Sequence, residues 1–250
     1  MGVLEALAIF AAGIVAGTIN TVVGSGTLFT FPVLLGFGYA PVVANVSNTV
    51  GLVPGSAAGA LGYRRELAGQ RRRLLALASA SVTGGVVGAV LLLSLPASAF
   101  KAIVPIFIAA ALVLIVLGPR LSGFLARRRP QGRELAGPVA TLGVFAGGIY
   151  GGYFGAAQGI LVLAILTLSI DDDLQRLNAA KVVLTGLVNL VSGLVFVVAA
   201  NVAWAPAGLI AAGSMLGGVL GAHVGRRLPE PVLRAVIVIV GVVAIVRLLG

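Results

Sequence analysis

The sequence predicts an all-α fold, a polytopic transmembrane helical bundle built from two inverted repeats with interrupted or re-entrant helices. Three observations carry that expectation. The 250 residues are 59% hydrophobic and only 10% charged, with mean hydropathy +1.13, whereas globular domains carry about 25% charged residues and need that polar surface to stay in water. Apolar segments recur along the whole chain, and two of them are too short to cross a bilayer. Each of those two follows a glycine-rich break, and the breaks repeat, with Gly13 and Gly147 opening equivalent runs 134 residues apart.

The apolar segments fall at about 4–23, 27–38, 43–63, 74–94, 98–118, 138–156, 159–170, 178–200, 205–224 and 230–249. The first is read as a retained helix, because no Lys or Arg precedes Arg64 and a secretory signal needs a basic start. Segment 27–38 follows Gly24-Ser-Gly26 and reaches only about 18 Å at about 1.5 Å per residue, against a hydrocarbon core of about 30 Å. It is expected to be a half-helix or a re-entrant piece, as is 159–170. Segment 43–63 opens with Asn45, Ser47, Asn48 and Thr49, and 178–200 opens with Asn178, Lys181, Thr185 and, further on, Asn189. Segment 74–94 follows the basic loop Arg64 to Arg73. Segment 98–118 stops at Pro119, where a basic linker with Arg120, Arg127, Arg128, Arg129 and Arg133 begins. The last segment is apolar on every side from Ala235 to Val246, unlike the alternating strands of a membrane barrel. The expected organisation is a first transmembrane repeat at 1–118, a cytoplasmic linker at 119–137 and a second, inverted repeat at 138–250.

Three matches in one order define the repeat. Gly13-Ile-Val-Ala-Gly17 through Gly26 has its counterpart in Gly147-Gly-Ile-Tyr-Gly151 through Gly159, Gly51-Leu-Val recurs as Gly186-Leu-Val, and Val82 to Ala89 resembles Met215 to Ala222. A broken hairpin returns to its starting side and three full crossings follow, so each half makes an odd number of net crossings and the second half must be inverted. Loops 64–73, 119–138 and 225–229 placed in the cytoplasm hold 12 of the 17 Lys and Arg, and Arg176, Lys181 and Arg234 at helix starts on the same side make 15, leaving Lys101 and Arg247 outside. Both termini then face outward. Inverted repeats with interrupted helices are common in secondary transporters, whose sites lie near mid-membrane at the repeat interface.

The breaks are the candidate site. Backbone N–H and C=O groups exposed in hydrocarbon cost several kcal/mol each, so a break persists only where protein, water or solute satisfies them. The expected substrate-binding residues are Asn20, Gly24, Ser25, Gly26, Thr27 and Asn48 in the first half and Tyr153, Gln158, Gly159, Lys181 and Asn189 in the second. The half-helices that begin near Thr27 and Gln158 present free N–H groups and a positive dipole end, which favour an anion. The competing reading gives the glycines to close helix packing and the polar side chains to interhelical hydrogen bonds. Lys181 is an intramembrane cation and hence a functional candidate; the alternative is that it snorkels to lipid phosphate from one turn inside its helix.

Other residue types exclude chemistry. Glu5 lies near the outer start, and Glu66, Glu134, Asp171, Asp172, Asp173 and Glu230 lie in loops or at helix ends, so no buried carboxylate relay is expected; a substrate that itself carries a proton, or no ion coupling, fits better. His223 is expected at the interface and Asp171 to Asp173 as a solvated helix cap, not a metal site. There are no cysteines and one histidine, which removes thiolate chemistry and leaves an intramembrane enzyme without a nucleophile and base; no catalytic residue, metal or cofactor is expected. The net charge of +10 is spent on loop arginines beside the lipid bilayer, so no nucleic acid partner follows from it. Nothing in the composition assigns an oligomeric state.

The same residues carry a resemblance. The stretch Gly13 to Pro32, with Gly24-Ser-Gly26 before Thr27-Leu-Phe-Thr-Phe-Pro-Val-Leu-Leu35, then Ala44-Asn-Val-Ser-Asn48-Thr and Tyr63-Arg-Arg65, resembles the TauE/SafE family of sulfite exporters, also called the toluene-sulfonate uptake permeases. Gly151-Gly-Tyr-Phe-Gly155 and Asn178-Ala-Ala-Lys181 are similar to that family's second repeat, and Gln158 stands where the family often has another glycine. The resemblance spans essentially the whole chain. It implies transport of sulfite or small organosulfur anions such as sulfonates, inward or outward, by alternating access in the inner membrane of a bacterium. A passive anion channel and a non-transporting membrane assembly protein are the alternatives.

Overall fold

The structure is a computed structural model that describes residues 1–126 and 137–224, together with Ile239 and Val242. The tenth apolar segment and most of the linker at 119–137 lie outside the described residues. The described part is helical, with no strand: α1 Val3–Val22, α2 Thr27–Gly36, α3 Pro41–Gly62, α4 Arg71–Ser94, α5 Ala97–Ala126, α6 Pro138–Tyr153, α7 Gln158–Ser169, α8 Leu174–Ala199 and α9 Trp204–Val224.

Among the described residues, five helices are long and apolar enough to cross a membrane: α1, α4, α5, α8 and α9. The expected short pieces are present as α2 with 10 residues and α7 with 12. α3 and α6 open on prolines, Pro41 and Pro138, whose fixed φ suits the first helical position and whose missing N–H costs nothing there. α5 runs on to Ala126, past the boundary expected at 118. Gly118-Pro119 does not end it, since a proline in a long transmembrane helix removes one N–H and leaves the remaining ladder intact. α6 stops at Tyr153, three residues short of the expected end, because Gly155 (φ 74°) and Ala157 (φ 59°) take left-handed conformations that turn the chain back.

Both short helices fold back on the helix before them. The Tyr39 hydroxyl, just after α2, donates to Glu5 Oε1 at the start of α1 over 2.8 Å, which fixes α1 and α2 as an antiparallel hairpin. In the second hairpin, Gly143 of α6 faces Ile165 of α7 and Gly147 faces Val162. α9 lies against α1 and α3, and α4 lies against α6 and α8. Glycines line both sets of contacts: Gly17 abuts Ser214 and Gly217 abuts Ile14 between α1 and α9, while Gly84 abuts Phe145 and Gly152 abuts Gly85 between α4 and α6. Lacking a Cβ, they let the backbones approach closely.

An aromatic cluster ties α2, α5 and α6 together. Phe31 and Phe154 meet edge to face at 5.1 Å, Phe100 and Phe154 at 6.0 Å, and Phe107 and Tyr150 at 5.1 Å. Large apolar side chains such as Ile106, Leu142 and Val198 point outward, a surface suited to lipid and unsuited to water.

Candidate functional site at the two helix breaks

At the first break, Gly24 takes φ 85° and its N–H still donates to Ile19 O over 3.0 Å, closing α1 before the chain reverses. Ser25 and Gly26 follow, and α2 starts at Thr27. The N–H groups that open a helix have no acceptor one turn back inside it; here Leu28 and Phe29 N–H turn back to Ser25 O and Gly26 O over 3.1 and 2.9 Å, and the Ser25 hydroxyl is 1% exposed with no hydrogen-bond partner.

The second break turns differently. Gln158 Nε2 donates to Gly147 O over 3.1 Å, and its carboxamide packs against Gly151, where any side chain would collide with it. Thus Gln158 braces α7 against α6. The Tyr150 hydroxyl donates to Ala156 O and holds the turn from the other side.

The two breaks touch. Gly159 N–H donates to Gly24 O over 2.9 Å, and a Cβ on either glycine would overlap the Cα of the other. This contact completes the first turn of α7, whose Gln158 and Ile160 N–H groups turn back to Gly155 O and Ala157 O, so the half-helix ends differ in what they leave free: at α2 the Thr27 N–H and the Ser25 hydroxyl have no such acceptor.

Lys181, in α8, is 0% exposed, which disfavours the alternative of a side chain snorkelling to lipid phosphate. Its ammonium donates to Asn20 O over 3.4 Å and Thr21 O over 3.3 Å, in the last turn of α1, where cations are favoured by the helix dipole. Its stem runs beside Gly159. A neutral amide occupies the equivalent place at the other break: Asn45 Nδ2, from α3, donates to Tyr153 O at the end of α6 over 3.0 Å. Each broken helix is therefore capped by a side chain from the other half of the chain.

Around this centre lie two further groups. Asn48 Nδ2 donates to Thr27 Oγ1 over 3.1 Å and its Oδ1 accepts from the Thr30 hydroxyl, so the first turn of α2 is tied to α3. Asn20 Nδ2 and Asn189 Nδ2 approach Ser56 Oγ from opposite halves at 3.4 and 3.5 Å, and both asparagines are half-exposed. Of the expected residues, Asn20, Gly24, Gly159 and Lys181 come together, Ser25, Thr27 and Asn48 flank them, and Asn189 joins through Ser56. Gly26 sits against Ala16 O of α1 and serves the hairpin. Tyr153 lies on the aromatic side, its ring against Phe100 and Phe107 and its buried hydroxyl without a partner. Asn48 and Asn189 do not meet.

Sequence reasoning did not reach Ser56. It lies on the same face of α3 as Asn45, Thr49 and Leu52 at helical spacing and 133 residues before Asn189, a spacing the repeat itself supplies.

At the arginine-rich face, Asp172 is no solvated cap. Arg73, mostly buried, reaches Asp172 Oδ2 at 2.7 Å, and Arg176 reaches Oδ1 at 2.9 Å, while Gln70 Nε2 donates to Arg176 O over 2.9 Å. Burial by itself would raise the Asp172 carboxyl, but hydrogen bonds from Arg73, the Asp173 N–H and Arg176 outweigh it and hold it below the ordinary aspartate value of 3.8. Asp173 does cap α8, accepting from Gln175 N–H over 2.8 Å. Nearby, Gly62, Arg64, Arg65, Glu66, Ala222 and His223 line a cavity of about 330 Å³, a basic mouth that raises the local concentration of anions.

The sequence model of the family described as sulfite exporter TauE/SafE matches residues 9–248. A probable membrane transporter protein of Haemophilus influenzae is 29% identical over 238 residues, covering 94% of this chain and 91% of its own. The probable membrane transporter protein YfcA of Escherichia coli K12 is 28% identical over 243 residues, 96% of this chain and 88% of its own. The probable membrane transporter protein ORF9 of a Sinorhizobium species is 27% identical over 244 residues, 97% and 91% of the two chains. With a bundle of apolar helices, two interrupted ones meeting at its centre and a family match over nearly its full length, the chain is an integral membrane protein of the sulfite exporter TauE/SafE family of membrane transporters.

Proposed function

We propose that the chain carries sulfite or a small organosulfur anion such as a sulfonate across the inner membrane of a bacterium, by alternating access between two inverted repeats whose termini both face outward. The observation that carries this reading is the meeting of the two breaks at Gly24 and Gly159. Interrupted helices joined back to back at the centre of a bundle give a solute one place reachable from either side as the halves rock. The swapped packing, α9 on α1 and α4 on α6, supports two halves related by a pseudo-two-fold axis. The basic cavity beside Arg64 and Arg65 is assigned to the cytoplasm on the charge bias of the loops.

The substrate site in this reading is the first break: the Thr27 N–H that opens α2, the Ser25 hydroxyl and the Lys181 ammonium, with Asn20 and Asn189 at its rim. A half-helix dipole contributes about 0.3–2 kcal/mol, so binding is weak, as a carrier that must release its solute requires. The test is purified protein in liposomes loaded with labelled sulfite, a sulfonate or sulfate. A carrier gives release of label that unlabelled substrate outside the liposomes accelerates. Flux indifferent to the far side identifies a channel, and no flux of any of the three refutes the transport reading.

A further inference from the structure

We infer that the site selects singly charged anions and that Lys181 is the residue that sets this charge. The inference rests on the transport reading and deepens it. Lys181 is fully buried, and its ammonium is held by two carbonyl oxygens, of Asn20 and Thr21. Carbonyls at a helix end carry only a partial negative charge, about half an elementary charge for the whole terminus, so the cation is oriented without being neutralised. The described carboxylates lie at the two faces of the bundle: Glu5 with Tyr39 and the Gly2 N–H, Glu66 in the cavity beside Arg64 and Arg65, Asp172 with Arg73 and Arg176, Asp173 at the cap of α8, and Asp171 exposed in the loop before it. A buried charge is tolerated when an opposite charge and hydrogen bonds complete it.

The rest of the first break points the same way. Beside the α1 terminus that Lys181 caps lie the start of α2, whose Thr27 N–H has no backbone acceptor, and the buried, unpartnered Ser25 hydroxyl, two donors that lack an acceptor. At the second break the unpartnered buried hydroxyl, that of Tyr153, belongs to a ring packed against Phe100 and Phe107. Asn45, a neutral amide, stands at the end of α6, and the Gly159 N–H is already taken by Gly24 O. Positive potential is thus concentrated at one break and amounts to one formal charge. A monoanion there forms a neutral pair with Lys181. A dianion leaves one unpaired negative charge in a low-dielectric interior, which costs several kcal/mol.

Methanesulfonate and sulfate test this directly, being tetrahedral anions of similar size in which a methyl group replaces one charged oxygen. Calorimetric titration of the full-length protein should find methanesulfonate bound on the order of a hundredfold more tightly than sulfate at neutral pH. Lys181→Ala should lose methanesulfonate affinity by a similar factor, and Lys181→Arg should keep the preference. The wild-type comparison needs no variant to fold. Sulfate bound as tightly as methanesulfonate, or a folded Lys181→Ala protein with unchanged affinity, overturns the charge selection and leaves the transport reading standing. Binding of neither anion overturns both.

Discussion

At the scale of residues, the centre of the molecule depends on two missing side chains. Gly24 and Gly159 touch through their main chains, and Gly24 adds a positive φ that other residues adopt at a cost. Gly159→Ala inserts a methyl group where the Gly24 Cα already stands and should destabilise the protein by about 1–3 kcal/mol. Gly208→Ala, on an open stretch of α9 with no atom within 4 Å, should leave stability unchanged or slightly raised. Thermal unfolding followed through the single tryptophan, Trp204, compares them, and equal midpoints would refute the close contact. The glycines, Asn20, Ser25, Thr27 and Lys181 were legible in the sequence because a polar, glycine-rich interruption in an apolar run has few innocent explanations. Ser56 and the reach of Asn45 to Tyr153 were not. Their partners lie 133 and 108 residues away, and a side chain three turns from a break is indistinguishable from an ordinary helix-packing serine until the helices are placed together.

At the scale of elements, length and hydropathy were sufficient to find the helices, including the two short ones, while their ends were decided by contacts. α5 overran its expected end and α6 fell short of its own, in each case because a proline or glycine signal was read without its surroundings. The loop between α7 and α8 is the clearest case. Three consecutive aspartates look solvated, yet Asp172 joins that loop to α4 through Arg73, 99 residues away. The pair lies between the surface and buried regimes, so Asp172→Asn should cost about 1–3 kcal/mol, whereas Arg72→Gln, on the exposed side of the same turn, should cost little. Because the folded Asp172 carboxyl titrates below its ordinary value of 3.8, its contribution is fully present above that value and is lost only as pH falls through the lowered one. Unfolding midpoints of the wild type and Asp172→Asn, measured from pH 7 down to about pH 5, should therefore run parallel; curves that converge within that range would place the titration elsewhere.

At the scale of the whole molecule, the charge bias of the loops predicts an orientation that labelling can test. The chain has no cysteine, so single cysteines report sidedness without background. Gly2→Cys should react with an impermeant maleimide added to intact cells, and Gln131→Cys, in the linker outside the described residues, should react only after the cells are opened. Reaction of both from the same side would remove the inverted arrangement and, with it, the assignment of the basic cavity to the cytoplasm.

The glycine-lined seams bear on how such a molecule moves. Where α1 meets α9 and α4 meets α6, backbone lies against backbone with few knobs seated in holes. Interlocked side chains must be lifted apart before one helix slides past another, and each lift forfeits packing energy. Smooth seams act instead as bearings. In the alternating access proposed above they would let the two halves turn against each other with little friction, so the glycines that permit close packing at rest would also keep the barrier to motion low.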